Sequence, residues 1–405
     1  MTAYQMPAEQ LRVGHPTPFG LVDAAGHLLM ARGKLIESEE HREQLLARGA
    51  YIDAQDTEAY QRALTSKLGT MLLHDEPLGK IAQAQPDAAA LAAPNAAPAE
   101  RRPAADPLQV VRGLQMHIGK LLREAPQADF AARLARQAET LFALAEADPD
   151  TALLALVDAT TCESRDYSTT HAMLVAVVCD LAARHVPAWT HEQRASLRCA
   201  ALTMNIAMTA LQDALAQQLA PPNPLQRRQI DSHAQRGADL LAAGGVDDAL
   251  WIEIVRHHHG APPGPLADLP PAQQLARLVK RADIFAARLS PRRRRSALSG
   301  AAAAKAAYLD EHQQPDAAGA AIVKATGIYP PGSYVRLASG EIAVVMRRGA
   351  RANEPLVAGV IGRTGSPIVE PALRDTRLAQ HAVTAGVAPD AVKLRLNLER
   401  LLSLL

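Results

Sequence analysis

The sequence predicts a mainly α protein with a small N-terminal α+β module and a small β-rich C-terminal segment. Three observations carry this reading. From Pro107 to about Thr326, apolar residues recur at three- and four-residue spacing, the period of amphipathic helices. Short β-rich runs punctuated by glycine occupy roughly the first 55 residues and return after Gly327. Residues 81–106 hold 12 Ala and 4 Pro. Prolines at that spacing break helices and few side chains there can pack, so the stretch reads as a linker. The expected organisation is a module at 1–80, a linker at 81–106, a helical domain at 107–326 and a β-rich extension with a terminal helix at 327–405.

Within the module, Pro18–Val22 and His27–Ala31 flank a turn-rich Asp23–Gly26 and read as a hairpin. A polar helix follows at Ser38–Arg48, with Ser38 and Glu39 at its capping end, and then a strand at Gly49–Asp53. The periodicity next predicts helices at Leu108–Glu124, Phe130–Glu146, Thr151–Ala159, Ser168–Arg184 and His191–Leu215. It continues with Gln226–Ala243, Asp248–His258, Ala272–Leu289, Ala301–His312 and Asp316–Thr326. Ser333–Leu337 and Glu341–Arg347 form a second hairpin around Ala338–Gly340, and Leu356–Ile361 and Pro367–Val369 add short strands. The tail Pro389–Leu405 reads as an amphipathic helix with Leu394, Leu398, Leu401 and Leu405 on one face. Such a stripe packs on its own domain or serves as an oligomer contact.

Composition narrows the function. The chain has 405 residues and is 48% hydrophobic, which excludes wholesale disorder. Aromatics are only 3%, so the core is built from Ala, Leu and Val. Lys and Arg number 43 against 42 Asp and Glu, which argues against a whole-surface nucleic-acid binder or a polybasic membrane binder. No apolar run approaches ~18 residues and Met1–His15 has no apolar core, so neither a membrane span nor a signal peptide is expected. A cytoplasmic protein is the expectation. Cys162, Cys179 and Cys199 form no CxxC pair and read as buried free thiols.

Candidate metal ligands lie along the helical domain: His171, His233, the run His257–His259, and Asp283. Neighbouring side chains on a helix point apart. At a helix C-terminus, however, the backbone turns and adjacent imidazoles can converge. In order, the chain reads Asp166-Tyr-Ser-Thr-Thr-His171, Ala200-Ala-Leu202, Ser232-His233-Ala-Gln-Arg-Gly237, Val255-Arg-His-His258 and Arg277-Leu-Val-Lys-Arg-Ala-Asp283. Gly327-Ile-Tyr-Pro-Pro-Gly332 and Val335–Glu341 close the series. Through these anchors, from about Asp166 to Val360, the sequence resembles the HD-GYP family. That family is a branch of the HD metal-dependent phosphohydrolases that hydrolyses cyclic di-GMP. The resemblance implies an HD-type helical bundle, and the N-terminal module is similar to the α+β segment often found ahead of such domains.

Two departures stand out against that family. Its His-Asp pair and following Lys are replaced by Met204, Asn205 and Met208. Its second signature, His-His-Glu with Asp-Gly-x-Gly-Tyr-Pro, is reduced to His257-His-His-Gly-Ala-Pro-Pro-Gly264. In the family the Asp bridges two metals, and its charge offsets their repulsion; a neutral amide bridges poorly. A thioether does not replace imidazole for iron, manganese or zinc in nitrogen and oxygen surroundings.

By the resemblance, His233, His257 and His258 fall on one metal's histidines, and His171 and Asp283 on half the ligands of the other. One divalent ion at the three histidines is one expectation; histidines that are hydrogen-bonded or exposed, with no metal, are the other. Arg292 and Arg295 fall where the family's arginines approach substrate phosphates, although a solvated charge cluster is also consistent with the run Arg292–Arg295.

Three functions follow: a catalytically degenerate sensor, scaffold or regulator in cyclic di-GMP signalling, an active phosphohydrolase with an altered metal site, or a helical structural protein. The implied partners are cyclic di-GMP or a related nucleotide and other cyclic di-GMP signalling proteins.

Overall fold

The computed structural model describes residues 11, 13–14, 17, 20–23, 27–31, 34–52, 106–124, 126–127, 129–162, 166–186, 188–260, 262 and 264–405. Most of the expected linker, the hairpin tip at 24–26 and the side chain of Cys162 lie outside the described residues. The chain divides into two compact units, 1–102 and 103–405.

In the first unit, strands β1 (Leu21–Val22), β2 (Leu28–Met30) and β3 (Tyr51–Ile52) form an antiparallel sheet in the order β2-β1-β3. Helix α1 (Glu39–Ala47) begins where the Ser38 hydroxyl accepts the His41 amide at 3.1 Å, with Glu39 and Glu40 favouring the positive end of its dipole. Leu11, Leu21, Met30, Ile36, Leu45 and Ala50 make a small core of their own.

The second unit is helical from 107 to 326: α2 (Pro107–Arg123), α3 (Phe130–Ala147), α4 (Pro149–Cys162), α5 (Tyr167–Ala183) and α6 (His191–Thr203) come first. They are followed by α7 (Thr209–Gln217), α8 (Pro224–Ala243), α9 (Ala249–His257), α10 (Pro271–Leu289), α11 (Gly300–Tyr308) and α12 (Ala317–Thr326). Helix α5 is the axis. Its sequence is apolar on all sides around Met173–Cys179, and every residue from Tyr167 to Ala183 is buried. Helices α2, α3, α4, α6, α7, α10 and α12 pack around it. Among the described residues, no helix is long and apolar enough to cross a membrane.

One expected helix is two. His191–Leu215 breaks after Thr203, bends through the 3₁₀ turn Ile206–Met208, and restarts as α7. At the break the Thr203 hydroxyl bonds back to the Cys199 carbonyl and accepts the Trp251 indole N–H at 2.7 Å. The Asn205 carbonyl then takes the Met208 amide at 2.9 Å, closing a tighter turn. Apolar periodicity ran unbroken through this segment and hid the bend.

The C-terminal sheet has the order β7-β6-β5-β4-β8, from β4 (Tyr334–Leu337), β5 (Ile342–Arg347), β6 (Leu356–Ile361), β7 (Leu373–Asp375) and β8 (Val383–Val387), all antiparallel. Its inner face closes on Leu154 of α4, and Arg347–Asp148 and Arg348–Asp150 ion pairs tie it to the start of that helix. The expected strand at Pro367–Val369 is a single bridge, Ile361 to Pro367, because Pro367 has no N–H to extend a ladder. In place of one long helix the tail has a 3₁₀ turn at Pro389–Ala391 and a helix α13 at Leu398–Leu402. Leu401 is buried against the sheet and Leu394 and Leu398 pack with it, whereas Leu405 of the expected stripe is exposed.

Asp316 anchors the junction of α10, α11 and α12. It is fully buried, accepts the Ala318 and Gly319 amides at 2.9 and 3.0 Å, and takes the Arg277 guanidinium at 2.6 Å. Arg281, also buried, lies within 3.4 Å. Removing one member of a buried ion pair strands the other, at a cost of about 3–5 kcal/mol. Asp316→Ala is expected to lose stability of that order in urea unfolding, and a loss below ~1 kcal/mol would contradict this role.

Candidate functional site

Three helices position the candidate histidines and a fourth carries Asp283. Helix α8, started by the Asn223–Gln226 capping box with Pro224 in its first turn, carries His233. Helix α9, capped by Asp248, ends at His257, so His258 and His259 leave the helix where the chain turns. His171 projects from the buried α5 and Asp283 from α10.

His233, His258 and His259 converge, with one nitrogen of each lying within 4.8 Å of the others. The Nε2 atoms of His233 and His258 are 3.2 Å apart, and those of His259 and His233 also 3.2 Å. On the far side of each ring, His233 Nδ1 donates to the Ile230 carbonyl and His258 Nδ1 to the Val255 carbonyl at 2.7 Å. Those carbonyls take the proton of each neutral ring, which turns two Nε2 lone pairs toward one another. Lone pairs at that distance repel unless a cation stands between them.

A tetrahedral zinc-type ion with bonds of 2.0–2.1 Å would hold its nitrogens about 3.3 Å apart. Backbone carbonyls that fix the tautomer are what ligand histidines ordinarily have behind them. The residues therefore fit one divalent ion, and exposed His259 leaves the cluster open to solvent.

His257 stands apart. The expected set was His233, His257 and His258; the third converging imidazole is His259. His257 is still helical, and its Nε2 contacts Glu253 Oε2 at 3.1 Å, one turn back along α9. The place where the helix stops decides which two of three consecutive histidines can meet, and that boundary was set one residue late in the sequence reading.

His171 and Asp283 form a pair of their own. His171, 1% exposed, is 2.7 Å from Asp283 Oδ1 through Nε2. Burial alone would raise the Asp283 pKa, but the His171 hydrogen bond and the His171, His258 and His259 rings bring it well below the usual carboxylate range. Its charge also acts on His233, which places it electrostatically beside the cluster. A cavity of about 470 Å³ opens next to Asp283, lined in part by Arg281, Arg288, Arg295 and Lys305.

Tyr167, which sequence reasoning passed over, stacks on His171 with centroids 5.5 Å apart and planes 12° from parallel. The Arg292 guanidinium lies 4.8 Å over the Tyr167 ring and donates to its hydroxyl at 2.7 and 3.0 Å. Arg295 donates to the Ala287 carbonyl, and backbone bonds between Arg292 and Arg295 close the turn that holds both.

Met204 is fully buried in the main hydrophobic core, while Asn205 and Met208 are half-buried on the bend.

No protein-family model matches the chain. Over 184 residues it is 29% identical to a cyclic di-GMP phosphodiesterase of Pseudomonas aeruginosa, covering 36% of this chain and 44% of that protein. The chain spans less than half the length of that relative. Among solved structures it is also similar to an HDGYP protein of Bdellovibrio bacteriovorus, with a TM-score of 0.41, 16% identity, and coverage of 80% of this chain and 99% of that one.

Burial holds the three clustered imidazoles in the neutral form. His258 is lowered to about 3 by burial and then by His259, and burial likewise lowers His233 and His259. Each is harder to protonate folded than unfolded, so the unfolded chain binds more protons below its ordinary histidine pKa of about 6.5. The stabilisation is therefore complete above pH ~6.5 and is lost as pH falls toward 3. In metal-free protein, unfolding free energy is expected to drop by a few kcal/mol between pH 7 and 4. His258→Asn should flatten that slope; an unchanged slope would show that the cluster is not neutral.

Proposed function

We propose that this protein is a catalytically degenerate HD-GYP-like protein, a cytoplasmic sensor, scaffold or regulator in cyclic di-GMP signalling. The single observation that carries the reading is Met204, fully buried in the core, with Asn205 beside it. Together they remove an imidazole and the one carboxylate that would bridge two cations. What is left suits one ion at His233, His258 and His259, with His171 and Asp283 bonded to each other. Such an ion, when bound, would supply Lewis-acid charge at a single point.

Asp283 points the same way: a carboxylate held well below its usual pKa is a weak proton acceptor for water. Arg292 and Arg295 supply guanidinium groups, which recognise phosphates without a metal. The likeness to a cyclic di-GMP phosphodiesterase makes cyclic di-GMP or a related nucleotide the proposed ligand, and cyclic di-GMP signalling proteins the proposed partners.

An active phosphohydrolase with an altered metal site is the second reading. The facing Nε2 pairs favour it, because three neutral imidazoles with an open position also describe catalytic zinc centres.

The deciding assay is hydrolysis of cyclic di-GMP by untagged protein with added manganese or iron, alongside bound-metal analysis. No turnover is expected in the wild type, and measurable turnover is expected in the double variant Met204→His with Asn205→Asp. Wild-type turnover abolished by His258→Ala or His259→Ala would overturn the degenerate reading in favour of the enzyme.

A further inference from the structure

A line of contacts runs from the surface arginines to Asp283, whose charge acts on the imidazole cluster. Arg292 is half-buried on a turn whose neighbours Arg293 and Arg294 are exposed. It lines a cavity of about 410 Å³ with Leu215, Ile230, Arg294 and Arg295. From that cavity wall it reaches inward to the hydroxyl and ring of Tyr167, which is 3% exposed. Tyr167 lies flat on His171, His171 is bonded to Asp283, and the Asp283 charge acts on all three clustered imidazoles. A second link is backbone: Ile230, in the same cavity wall, gives its carbonyl to His233 Nδ1.

We infer that Tyr167 is a positioning residue that couples an oxyanion of the phosphate class at Arg292 to a divalent cation at His233, His258 and His259. This rests on the one-ion reading above. Arg292 has two alternative acceptors, the neutral phenol behind it and an anion in the cavity before it. A charge-assisted bond to an oxyanion is roughly twice as strong as one to a neutral group, so an anion draws the guanidinium outward.

Tyr167 then loses both donors to its buried hydroxyl and its hold on His171 relaxes, freeing Asp283 to turn toward the cluster. The anion at the same time neutralises charge on the turn that also holds Arg295, whose guanidinium interacts with Asp283. Both changes favour a cation among the imidazoles, and by linkage the cation favours the anion equally.

Cobalt(II) is the probe for the cation, its visible absorption reporting nitrogen ligation directly, and sulfate is the probe for the oxyanion. Untagged full-length protein is titrated with cobalt in sulfate and in chloride of equal ionic strength. Sulfate is expected to tighten cobalt binding about fivefold in the wild type, the lower end of ordinary coupling. Tyr167→Phe keeps the ring on His171 but removes the oxygen that Arg292 grips. It should bind cobalt in chloride with the absorption band of the wild type and respond to sulfate less than twofold. Arg292→Gln should also be insensitive, since it has no guanidinium to move.

An equal response in wild type and Tyr167→Phe overturns the proposal, because it would mean screened charge acting through space. No response in the wild type overturns it as well. If cobalt does not bind in either buffer, it is the one-ion reading that fails, and this inference falls with it.

Discussion

Burial of the helix Tyr167–Ala183 on every side is the constraint on which the rest of the second unit depends. A helix apolar around its whole circumference has no solvent face, so other helices must enclose it. Seven helices pack against it, and with so few aromatics the enclosure relies on Ala, Val and Leu that let backbones approach closely. Tyr167 and His171 lie in its first turns. The cluster is therefore set by the core itself, and its buried members His171, His233 and His258 answer to the polar groups beside them.

The same burial explains the electrostatics. A carboxylate and an imidazole enclosed together satisfy each other, as His171 and Asp283 do at 2.7 Å. Three further imidazoles, pressed together under partial cover, stay neutral and present lone pairs.

Much of this was legible in the sequence, and the failures have physical causes. Helix periodicity located ten helical stretches because each has a continuous apolar face, and Ser38 marks a start through a side-chain bond that propensity anticipates. The bend at Thr203–Thr209 was not legible because hydrogen bonds and the Trp251 indole make it, and neither alters the apolar pattern. Strands β7 and β8 escaped notice because edge strands this short bury little and so carry little pattern. At the site, order along the chain named His171, His233, His257, His258 and Asp283, of which the fold brings His233 and His258 together and pairs His171 with Asp283. His259 was exchanged for His257, since convergence depends on where a helix ends to within one residue. Tyr167 carried no signal in spacing; its role exists only through the ring beneath it and the guanidinium above it.

Met204 also sets what a substitution there would cost. The thioether is fully buried in the hydrophobic core, so an imidazole in its place would put a polar ring in an apolar pocket closed to solvent. Asn205 beside it is half-buried on the bend, so the two neighbouring positions stand in different surroundings. A single change at 204 therefore disturbs packing before it can add a ligand, and packing alone resists piecemeal change at this point of the fold.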